Sequence, residues 1–319
     1  MTNFWDQFSD GFSCLAPMEA VSNIAFRQVV AQAARPNIFF TEFTNVNSFM
    51  SEAGRVHALR RFRFEPHEQP IVAQIWGTEP AYFAETAKAL GALGFQAVDI
   101  NMGCPERHVV ASGGCSALIR TPDLARAIIR AAKTAGPSIS VKTRLGFSRV
   151  DEWPFWLSNI LAEQPCALTV HLRTRKEMSK VPAHYELVPE IIALRNQLSP
   201  RTKLILNGDI KSVAEGLDLV KLGANGFMIG RGVFANPFCF ETKPRVHSKA
   251  ELLALLKLHL ELYARYDLHP FAPMKKFIKT YLNHFSGAKS LREEFMQTDS
   301  VAEALALLEA KATLSNGEA

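Results

Sequence analysis

A single cysteine stands where the chain passes from a β-prone run into a flexible loop. Cys104 lies between Gly103 and Pro105, directly after residues 97–101. A free cysteine is most often a small buried hydrophobic residue, but that explanation weakens for a cysteine outside a regular element. The C-terminal ends of strands are where α/β enzymes place their chemistry. The sequence therefore indicates Cys104 as a candidate reactive thiol.

Short apolar runs recur along the chain, and nearly all of them end in polar residues. They predict strands at residues 12–15, 38–40, 71–74, 97–101, 139–142, 167–170, 203–206 and 226–229. Most runs are followed by a helical pattern, which is typical of a (β/α)8 TIM barrel. Such a barrel brings every strand's C-terminal end to one face, where barrel enzymes hold their sites. The residues at those ends are Pro17, Met18, Glu42, Gln74, Asn101, Cys104, Lys142, Arg144, His171, Arg173, Arg175, Asn207, Gly208, Gly230 and Arg231.

Two glycine-containing turns after the last two predicted strands indicate a phosphate site. They are residues 207–209, Asn-Gly-Asp, and residues 230–232, Gly-Arg-Gly. Glycine lets backbone N–H groups approach a phosphate, and Arg231 could add charge-assisted hydrogen bonds. Lys142 and His171 could contact the pyrimidine end of a flavin ring, where a cation stabilises the reduced anion. Lys142 could equally be a structural lysine with a protein partner, because burying an unpaired lysine is costly.

The pattern changes beyond about residue 244, where helical segments follow one another without strands. We predict helices at 250–266, 274–285 and 300–311, and hence a barrel domain at 1–243 and a small helical domain at 244–319. Residues 268–292 contain no acidic residue. Their basic residues are Lys275, Lys276, Lys279, Lys289 and Arg292. A basic stripe without compensating acids predicts contact with an RNA backbone, although a solvated helix face is the alternative.

Composition excludes several classes of protein. The chain of 319 residues is 48% hydrophobic and 21% charged, with a formal net charge of +5, as in an ordinary globular protein. It has no apolar run long enough for a membrane span and no secretory signal pattern. Five cysteines without CxxC spacing argue against a disulfide framework or a zinc site. We therefore expect a cytoplasmic protein without a metal, and a monomer by default.

Several motifs, taken together, resemble those of the flavin-dependent tRNA-dihydrouridine synthases of bacteria. They lie at residues 15–19, 73–77, 99–105, 141–146, 171–175, 207–210 and 228–232. The resemblance covers residues 12–240, and the helical tail matches the family's RNA-binding domain in placement. It implies that FMN binds at the barrel mouth and is reduced by NADPH or NADH. It further implies hydride transfer to C6 of a uracil flipped out of tRNA, with Cys104 protonating C5.

The same resemblance implies roles for individual residues. The FMN-binding residues would be Pro17, Met18, Gln74, Lys142, His171, Asn207, Gly208, Asp209, Gly230 and Arg231. On the substrate side it indicates Asn101, Arg144 and Arg173, and charge alone adds Lys275, Lys276 and Lys279 for RNA. We interpret Cys115 as a substitute for a small residue rather than as a second acid.

Two other functions remain open at this point. One is an FMN-dependent oxidoreductase acting on a small pyrimidine or a dihydroorotate-like substrate. The other is an RNA-binding module that keeps a barrel without chemistry. The modified uridine, the subfamily and the choice between NADPH and NADH do not follow from the sequence.

Overall fold

Nine parallel strands of the computed structural model form the predicted barrel. They are β1 (Phe12–Leu15), β2 (Phe39–Phe40), β3 (Thr44–Asn45), β4 (Ile71–Trp76), β5 (Ala97–Met102), β6 (Ser138–Arg144), β7 (Ala167–His171), β8 (Lys203–Asn207) and β9 (Gly226–Ile229). The sheet order is β1-β9-β8-β7-β6-β5-β4-β2, with the short β3 also paired to β4. A parallel bridge between Cys14 and Ile38 joins β1 to the start of β2 and closes the ring. The structure describes residues 3–283 and 285–315.

Helices separate the strands and continue beyond them. They are α1 (Ile24–Ala33), α2 (Val46–Met50), α3 (Glu52–Arg61), α4 (Pro80–Ala92), α5 (Arg107–Ala111), α6 (Pro122–Lys133), α7 (Trp153–Ala162), α8 (Val188–Leu198), α9 (Val213–Lys221), α10 (Gly232–Ala235), α11 (Lys249–Arg265), α12 (Ile278–Tyr281), α13 (Ala288–Gln297) and α14 (Val301–Ser315). Short 3-10 helices lie at Phe4–Gln7, Pro66–Glu68, Cys115–Arg120, Val150–Glu152, Tyr185–Leu187 and Ala272–Phe277. The predicted (β/α)8 barrel with helices after it is confirmed.

Apolar side chains fill the barrel interior at the N-terminal end of the strands. Cys14, Phe40, Val72 and Met228 belong to this buried cluster, and Trp5 packs with them from the N-terminal 3-10 helix. Parallel strands covered by helices are buried on both faces, which explains their nearly continuous apolar sequences. The polar side chains lie at the other end of the barrel, where the strands have their C-terminal ends. We call this end the barrel mouth.

The helices after the barrel pack against α1 through aromatic side chains. Phe26 of α1 lies 4.9 Å from Phe277 and 6.1 Å from Phe234 between ring centroids. Gln28 of α1 donates to the hydroxyl of Tyr266 at 2.7 Å, and that hydroxyl donates to Glu65 at 2.8 Å. These contacts fix the helical segment on the barrel side. The predicted domain boundary at 243/244 stays a prediction, and the last four residues of the predicted second domain lie outside the described residues.

Several segments differ from the predicted pattern. The short β3 adds a ninth strand to the eight that were predicted, and α2 and α3 follow it without having been predicted. The loop expected after Cys104 contains α5 and the 3-10 helix Cys115–Arg120. The continuous helix expected at 274–285 is instead the 3-10 helix Ala272–Phe277 followed by the short α12, and α13 was not predicted.

No helix in the described part of the chain is both long and apolar enough to cross a membrane. Within that same part, no three His, Cys, Asp or Glu side chains gather as metal ligands could.

Candidate active site

The backbone around Cys104 is held by two side chains. The Asn101 side-chain oxygen accepts hydrogen bonds from the N–H groups of Gly103 at 3.0 Å and Cys104 at 2.9 Å. This is the local turn that asparagine favours where a strand ends. From the opposite side, the Ser116 hydroxyl donates to the Cys104 carbonyl at 2.8 Å. Cys104 is therefore presented by a fixed turn, with its side chain partly accessible from the mouth.

A buried chain of hydrogen bonds lies beneath this turn. The Asn101 amide nitrogen donates to Gln74 at 3.0 Å, and Gln74 donates to Asp99 at 2.7 Å. The Ser140 hydroxyl donates to the other Asp99 oxygen at 2.6 Å. Burial raises the pKa of Asp99 to about 6, although these two donors and the charge of Lys142 oppose the shift. Both amide orientations are thus set by a carboxyl group in the barrel interior.

Lys142 lies at the mouth beside this chain. Its ammonium group donates to the Asn207 side-chain oxygen at 3.2 Å, while the Asn207 amide nitrogen donates to the Met228 carbonyl at 2.8 Å. Burial, followed by the charge of the neighbouring Arg144, lowers the pKa of Lys142 to about 8, whereas Asp99 acts in the opposite direction. A partly satisfied buried ammonium favours an additional polar or anionic ligand.

Arg144 and His171 lie next to Lys142 at the mouth. Arg144 donates to the carbonyls of Gly103 at 2.7 Å, Thr174 at 3.1 Å and Met178 at 3.0 Å, so it ties the Cys104 turn to the loop after β7. The His171 Nδ1 atom is buried without a hydrogen-bond partner among the described residues. Burial, and then the charge of Arg144, lowers the pKa of His171 well below its ordinary value. The imidazole is therefore neutral at physiological pH.

Arg173 and Arg231 share the carboxylate of Asp209. Arg173 is 2% exposed, pairs with Asp209 and donates to the Val181 carbonyl at 2.6 Å. Arg231 lies 3.6 Å from the other Asp209 oxygen, but 61% of its side chain is exposed. Gly208 precedes this carboxylate with a φ of +129°, a conformation that favours glycine. The structure thus buries one arginine and leaves the other directed to solvent at the mouth.

These side chains surround a cavity of about 600 Å³ at the barrel mouth. Of the predicted site residues, it is lined by Pro17, Met18, Asn101, Cys104, Lys142, Arg144, His171, Asn207, Gly208, Asp209, Gly230 and Arg231. The volume is typical of a small-ligand or cofactor site. A larger cavity, of about 740 Å³, lies at the opposite end of the barrel around Phe4 and Pro137 and is lined by none of the predicted site residues. We assign the site to the mouth because its chemistry lies there.

Gln74 and Arg173 do not line this cavity. Gln74 is fully buried beneath it and uses its amide for Asp99 and Asn101. Arg173 is held by Asp209 and Val181, although its Nη1 atom has no partner in the described part of the chain. Both residues are therefore placed to support the mouth from behind rather than to meet a ligand at its surface.

The three lysines predicted to contact RNA lie outside the cavity, and two of them contact different parts of the chain. Lys275 donates to the Met296 carbonyl at 2.9 Å and lies 3.5 Å from Asp299. Lys276 donates to the carbonyl of Ala20, in the loop after β1. Lys279 is exposed. Lys275 and Lys276 lie on the 3-10 helix Ala272–Phe277, and Lys279 lies on the short α12, in place of the single helix that was expected.

The family model described as "Dihydrouridine synthase (Dus)" matches residues 14–316. The chain belongs to this family. A relative from Staphylococcus aureus (strain COL), named "Probable tRNA-dihydrouridine synthase", is 49% identical over 312 residues, covering 96% of this chain and 95% of the relative. "Probable tRNA-dihydrouridine synthase 2" from Bacillus subtilis (strain 168) is 48% identical over 311 residues, covering 96% of each.

Solved structures give a more distant comparison. Morphinone reductase in complex with tetrahydroNAD is 12% identical, with a TM-score of 0.47 over 71% of this chain and 84% of that chain. A FabK mutant from Thermotoga maritima is also 12% identical, with a TM-score of 0.43 over 76% of this chain and 67% of that chain.

Two residues of this Dus-family site received no role from the sequence. Asp99 anchors the buried hydrogen-bond chain, and a carboxylate inside an otherwise apolar strand was the available signal. Cys115 lies fully buried next to Cys104, in one apolar cluster with Phe43. Spacing could not reveal that proximity, because the two cysteines are brought together by the fold of the intervening loop.

Proposed function

We propose that this chain is a tRNA-dihydrouridine synthase that binds FMN, takes reducing equivalents from NADPH or NADH, and reduces the C5–C6 bond of a uridine in tRNA in the cytoplasm. The observation that carries the proposal is one cavity lined by the Cys104 thiol, by Lys142 and by His171. Membership of the Dus family and the names of the relatives support the substrate class.

Unsatisfied polar groups at the mouth fit a flavin. The His171 Nδ1 atom is buried without a partner in the described residues, and Lys142 has one side-chain acceptor, Asn207. The Lys142 ammonium is a donor, and the His171 Nδ1 atom donates or accepts according to its tautomer, so the oxygens and nitrogens of a flavin ring can satisfy both groups. We therefore assign Lys142, His171 and Asn207 to the ring, with Pro17 and Met18 as the apolar edge beside it.

The phosphate end of FMN is assigned to the turns after β8 and β9. Gly230 lines the cavity without a side chain, and a Cβ there would be in ordinary van der Waals contact with Ala16 Cβ at 3.5 Å and Met18 Sδ at 3.9 Å. Arg231 is exposed at the same point and supplies the positive charge. Asp209 would repel a phosphate directly, so we propose that it orients Arg231, while Gly208 supplies backbone N–H contact.

When bound and reduced, FMN supplies the hydride that adds to C6 of the uracil ring. Negative charge then develops towards C5 and O4, so a proton donor is needed at C5. We assign that proton to the Cys104 thiol. Its pKa is lowered, first by the neighbouring Cys115 thiol, against the raising effect of burial, with a smaller contribution from Arg144. A thiol with a lowered pKa is a stronger acid than an ordinary cysteine. To act as the acid, it must still carry its proton at the pH at which the enzyme works.

The predicted substrate contacts take different parts in this scheme. Asn101 uses its oxygen for the Cys104 turn and one amide hydrogen for Gln74, so one amide hydrogen is left for the uracil. Arg144 holds the Cys104 turn against the loop after β7 and lines the cavity. Arg173 and Gln74 lie beneath the cavity and support the residues that line it. Because the reacting base must leave its stack to enter such a cavity, RNA has to lie across the mouth.

The RNA track that we propose runs from the mouth towards Lys276 and Lys279. Lys276 contacts the carbonyl of Ala20, beside Glu19, which lines the cavity. Lys279 is exposed on the neighbouring short helix. Positive charge along this line would neutralise phosphates and give salt-dependent affinity. Lys275 contributes less, because Met296 and Asp299 already engage it.

One experiment tests the class of enzyme. The purified protein is examined for flavin absorbance, then incubated with NADPH or NADH and unmodified tRNA, and dihydrouridine is mapped by mass spectrometry. We expect a yellow protein and reduced uridine at defined positions. A yellow protein that oxidises the nicotinamide nucleotide but reduces only free pyrimidines would favour the small-molecule oxidoreductase. A colourless protein that binds tRNA would favour a non-catalytic RNA-binding role.

A further inference from the structure

Cys115 occupies an unusual backbone conformation directly beside Cys104. Its φ is +50°, in the left-handed region that residues other than glycine rarely adopt. The preceding Gly114 packs on an indole ring, since a Cβ at that position would lie 2.9 Å from Trp76 Cε3. This packing fixes the chain just before Cys115 and directs it inward. A residue kept in an unfavourable conformation next to a reactive group is a reason to ask what its side chain does.

The two cysteines share one closed environment. Cys104, Cys115 and Phe43 form a buried cluster, and Trp76 and Val109 pack against it. Cys115 has no solvent exposure, whereas Cys104 lines the mouth cavity. The next residue, Ser116, donates to the Cys104 carbonyl at 2.8 Å. The segment that carries Cys115 is therefore bonded to the segment that carries Cys104, and water is excluded on that side.

The surroundings of the two thiols shift their pKa values in opposite directions. Burial, followed by the neighbouring Cys104, raises the pKa of Cys115 well above the ordinary value, and Glu19 adds to this. Cys115 therefore keeps its proton. The pKa of Cys104 is lowered first by the Cys115 thiol. The backbone N–H of Glu106 also lowers this pKa, whereas the Glu106 carboxylate raises it, and Arg144 lowers it. Two titratable groups whose pKa values are driven apart commonly divide an acid–base task.

We propose that Cys115 is a positioning residue for the acid: its S–H donates a hydrogen bond to the Cys104 sulfur and stabilises the thiolate left after proton transfer. In this step the Cys104 S–H bond breaks, the C5–H bond forms, and the electron pair remains on the Cys104 sulfur. Cys115 keeps its own proton, and solvent later reprotonates Cys104. The identity of the proton acceptor rests on the proposed function, whereas the contact between the two thiols does not.

This inference replaces the interpretation of Cys115 as a mere small residue. If size alone mattered, glycine would be the better residue here, because it adopts a positive φ without a steric cost. A thiol provides what glycine lacks, a hydrogen-bond donor in a site that excludes water. Serine would keep a donor of nearly the same size. The chain therefore offers a matched pair of variants, Cys115→Gly without a donor and Cys115→Ser with one.

The test measures the pH dependence of Cys104 alkylation by iodoacetamide in the purified protein without RNA. Only the thiolate reacts, so the midpoint of the rate profile reports the pKa of Cys104. Peptide mass spectrometry separates Cys104 from the other cysteines. Because one neutral hydrogen bond changes an equilibrium by about three- to tenfold, Cys115→Gly should react about three- to tenfold more slowly at neutral pH. Cys115→Ser should stay close to the unsubstituted protein.

Internal controls separate this effect from misfolding. Cys166 is partly exposed near the start of β7, at the opposite end of the barrel, and its alkylation should be the same in all three proteins. The flavin absorbance should also be unchanged. An unshifted Cys104 profile in Cys115→Gly would overturn the inference. A shifted profile in a protein that forms no dihydrouridine would overturn only the proposed function, since no RNA enters the measurement.

Discussion

Positive charge is used differently at the barrel mouth and on the helical segment after it. At the mouth and directly beneath it, Lys142, Arg144 and Arg173 are largely buried. Lys142 and Arg144 bond to a side-chain amide and to backbone carbonyls, and Arg173 pairs with Asp209. On the helical segment, Lys276 and Lys279 lie at the surface, where solvent screens them. Burying a cation costs free energy of folding unless a ligand or partner compensates for the lost solvation. A surface cation keeps its solvation and contributes little to stability. Buried charge is therefore the stronger sign of a ligand site.

The difference has an origin in the fold. Barrel closure brings residues from several strands to one point, so cations far apart in sequence are forced together. The lysines of the helical segment are close in sequence, lie on a 3-10 helix and a short α-helix, and do not converge on the mouth cavity. The following substitutions test whether function depends on the mouth as strongly as this contrast implies.

Cys104→Ala should have the largest effect. A positioned general acid contributes about 10²- to 10⁴-fold to rate, so dihydrouridine formation should fall by that factor. Flavin absorbance and flavin reduction by NADPH should remain, because the thiol does not hold the ring in our assignment. Product is measured by mass spectrometry of tRNA. Cys166→Ala, at the other end of the barrel, is the matched control. Normal yield from Cys104→Ala would remove this residue as the acid.

Lys142→Met should come next. Methionine keeps most of the side-chain volume but removes the charge that we assign to the flavin ring. Removal of one such electrostatic group costs about 10²-fold, and we expect that decrease in the rate of flavin reduction measured by stopped flow. Lys221→Met, on the exposed end of α9, should change nothing. Equal rates in both variants would mean that Lys142 is only a structural lysine bonded to Asn207.

Asp99→Asn should alter the pH dependence of stability. The pKa of Asp99 is raised to about 6 in the folded protein from an ordinary value near 3.8. Between these values the folded state holds a proton that the unfolded state has lost, so stability falls as pH rises from about 4 to 6. Asparagine does not titrate, so the variant should not lose stability in this way as the pH rises.

The size of this effect follows from the shift. About two pKa units correspond to about 3 kcal/mol in the free energy of unfolding. Urea unfolding of both proteins at pH 4 and pH 7 should show the unsubstituted protein losing about that much relative to the variant. Lys142, with a pKa of about 8, stays protonated over this range in the unsubstituted protein, and Asp99 contributes to keeping it so. Parallel stabilities at the two pH values would mean that Asp99 is not titrating there.

Lys279→Ala should have the smallest effect. Loss of one phosphate contact should reduce the slope of log affinity for tRNA against log salt by about one. Lys275→Ala is the comparison, because Lys275 is held by Met296 and Asp299 and should leave the slope nearly unchanged. Filter binding over a salt series measures both. A larger change for Lys275 than for Lys279 would show that RNA lies on the other side of this segment.

Sequence alone predicted the barrel and most of its mouth. Apolar runs of strand length, helical patterns and polar strand ends are local properties, and each can be recognised without knowing what lies nearby. Lys142, His171 and Asn207 were predicted in this way, because the C-terminal ends of parallel strands in a barrel always share one face. The strand positions agree with the structure for the same reason.

Tertiary structure alone decided which groups are paired and which are free. It placed Gln74 and Arg173 beneath the cavity, gave Lys275 and Lys276 different partners, and set Cys115 against Cys104. Hydrogen-bond partners and burial depend on the three-dimensional path of each loop, which residue type and spacing do not specify. The same physical cause governs the chemistry, since the pKa values of Asp99, Lys142 and Cys104 are shifted by neighbours that only the fold brings into contact.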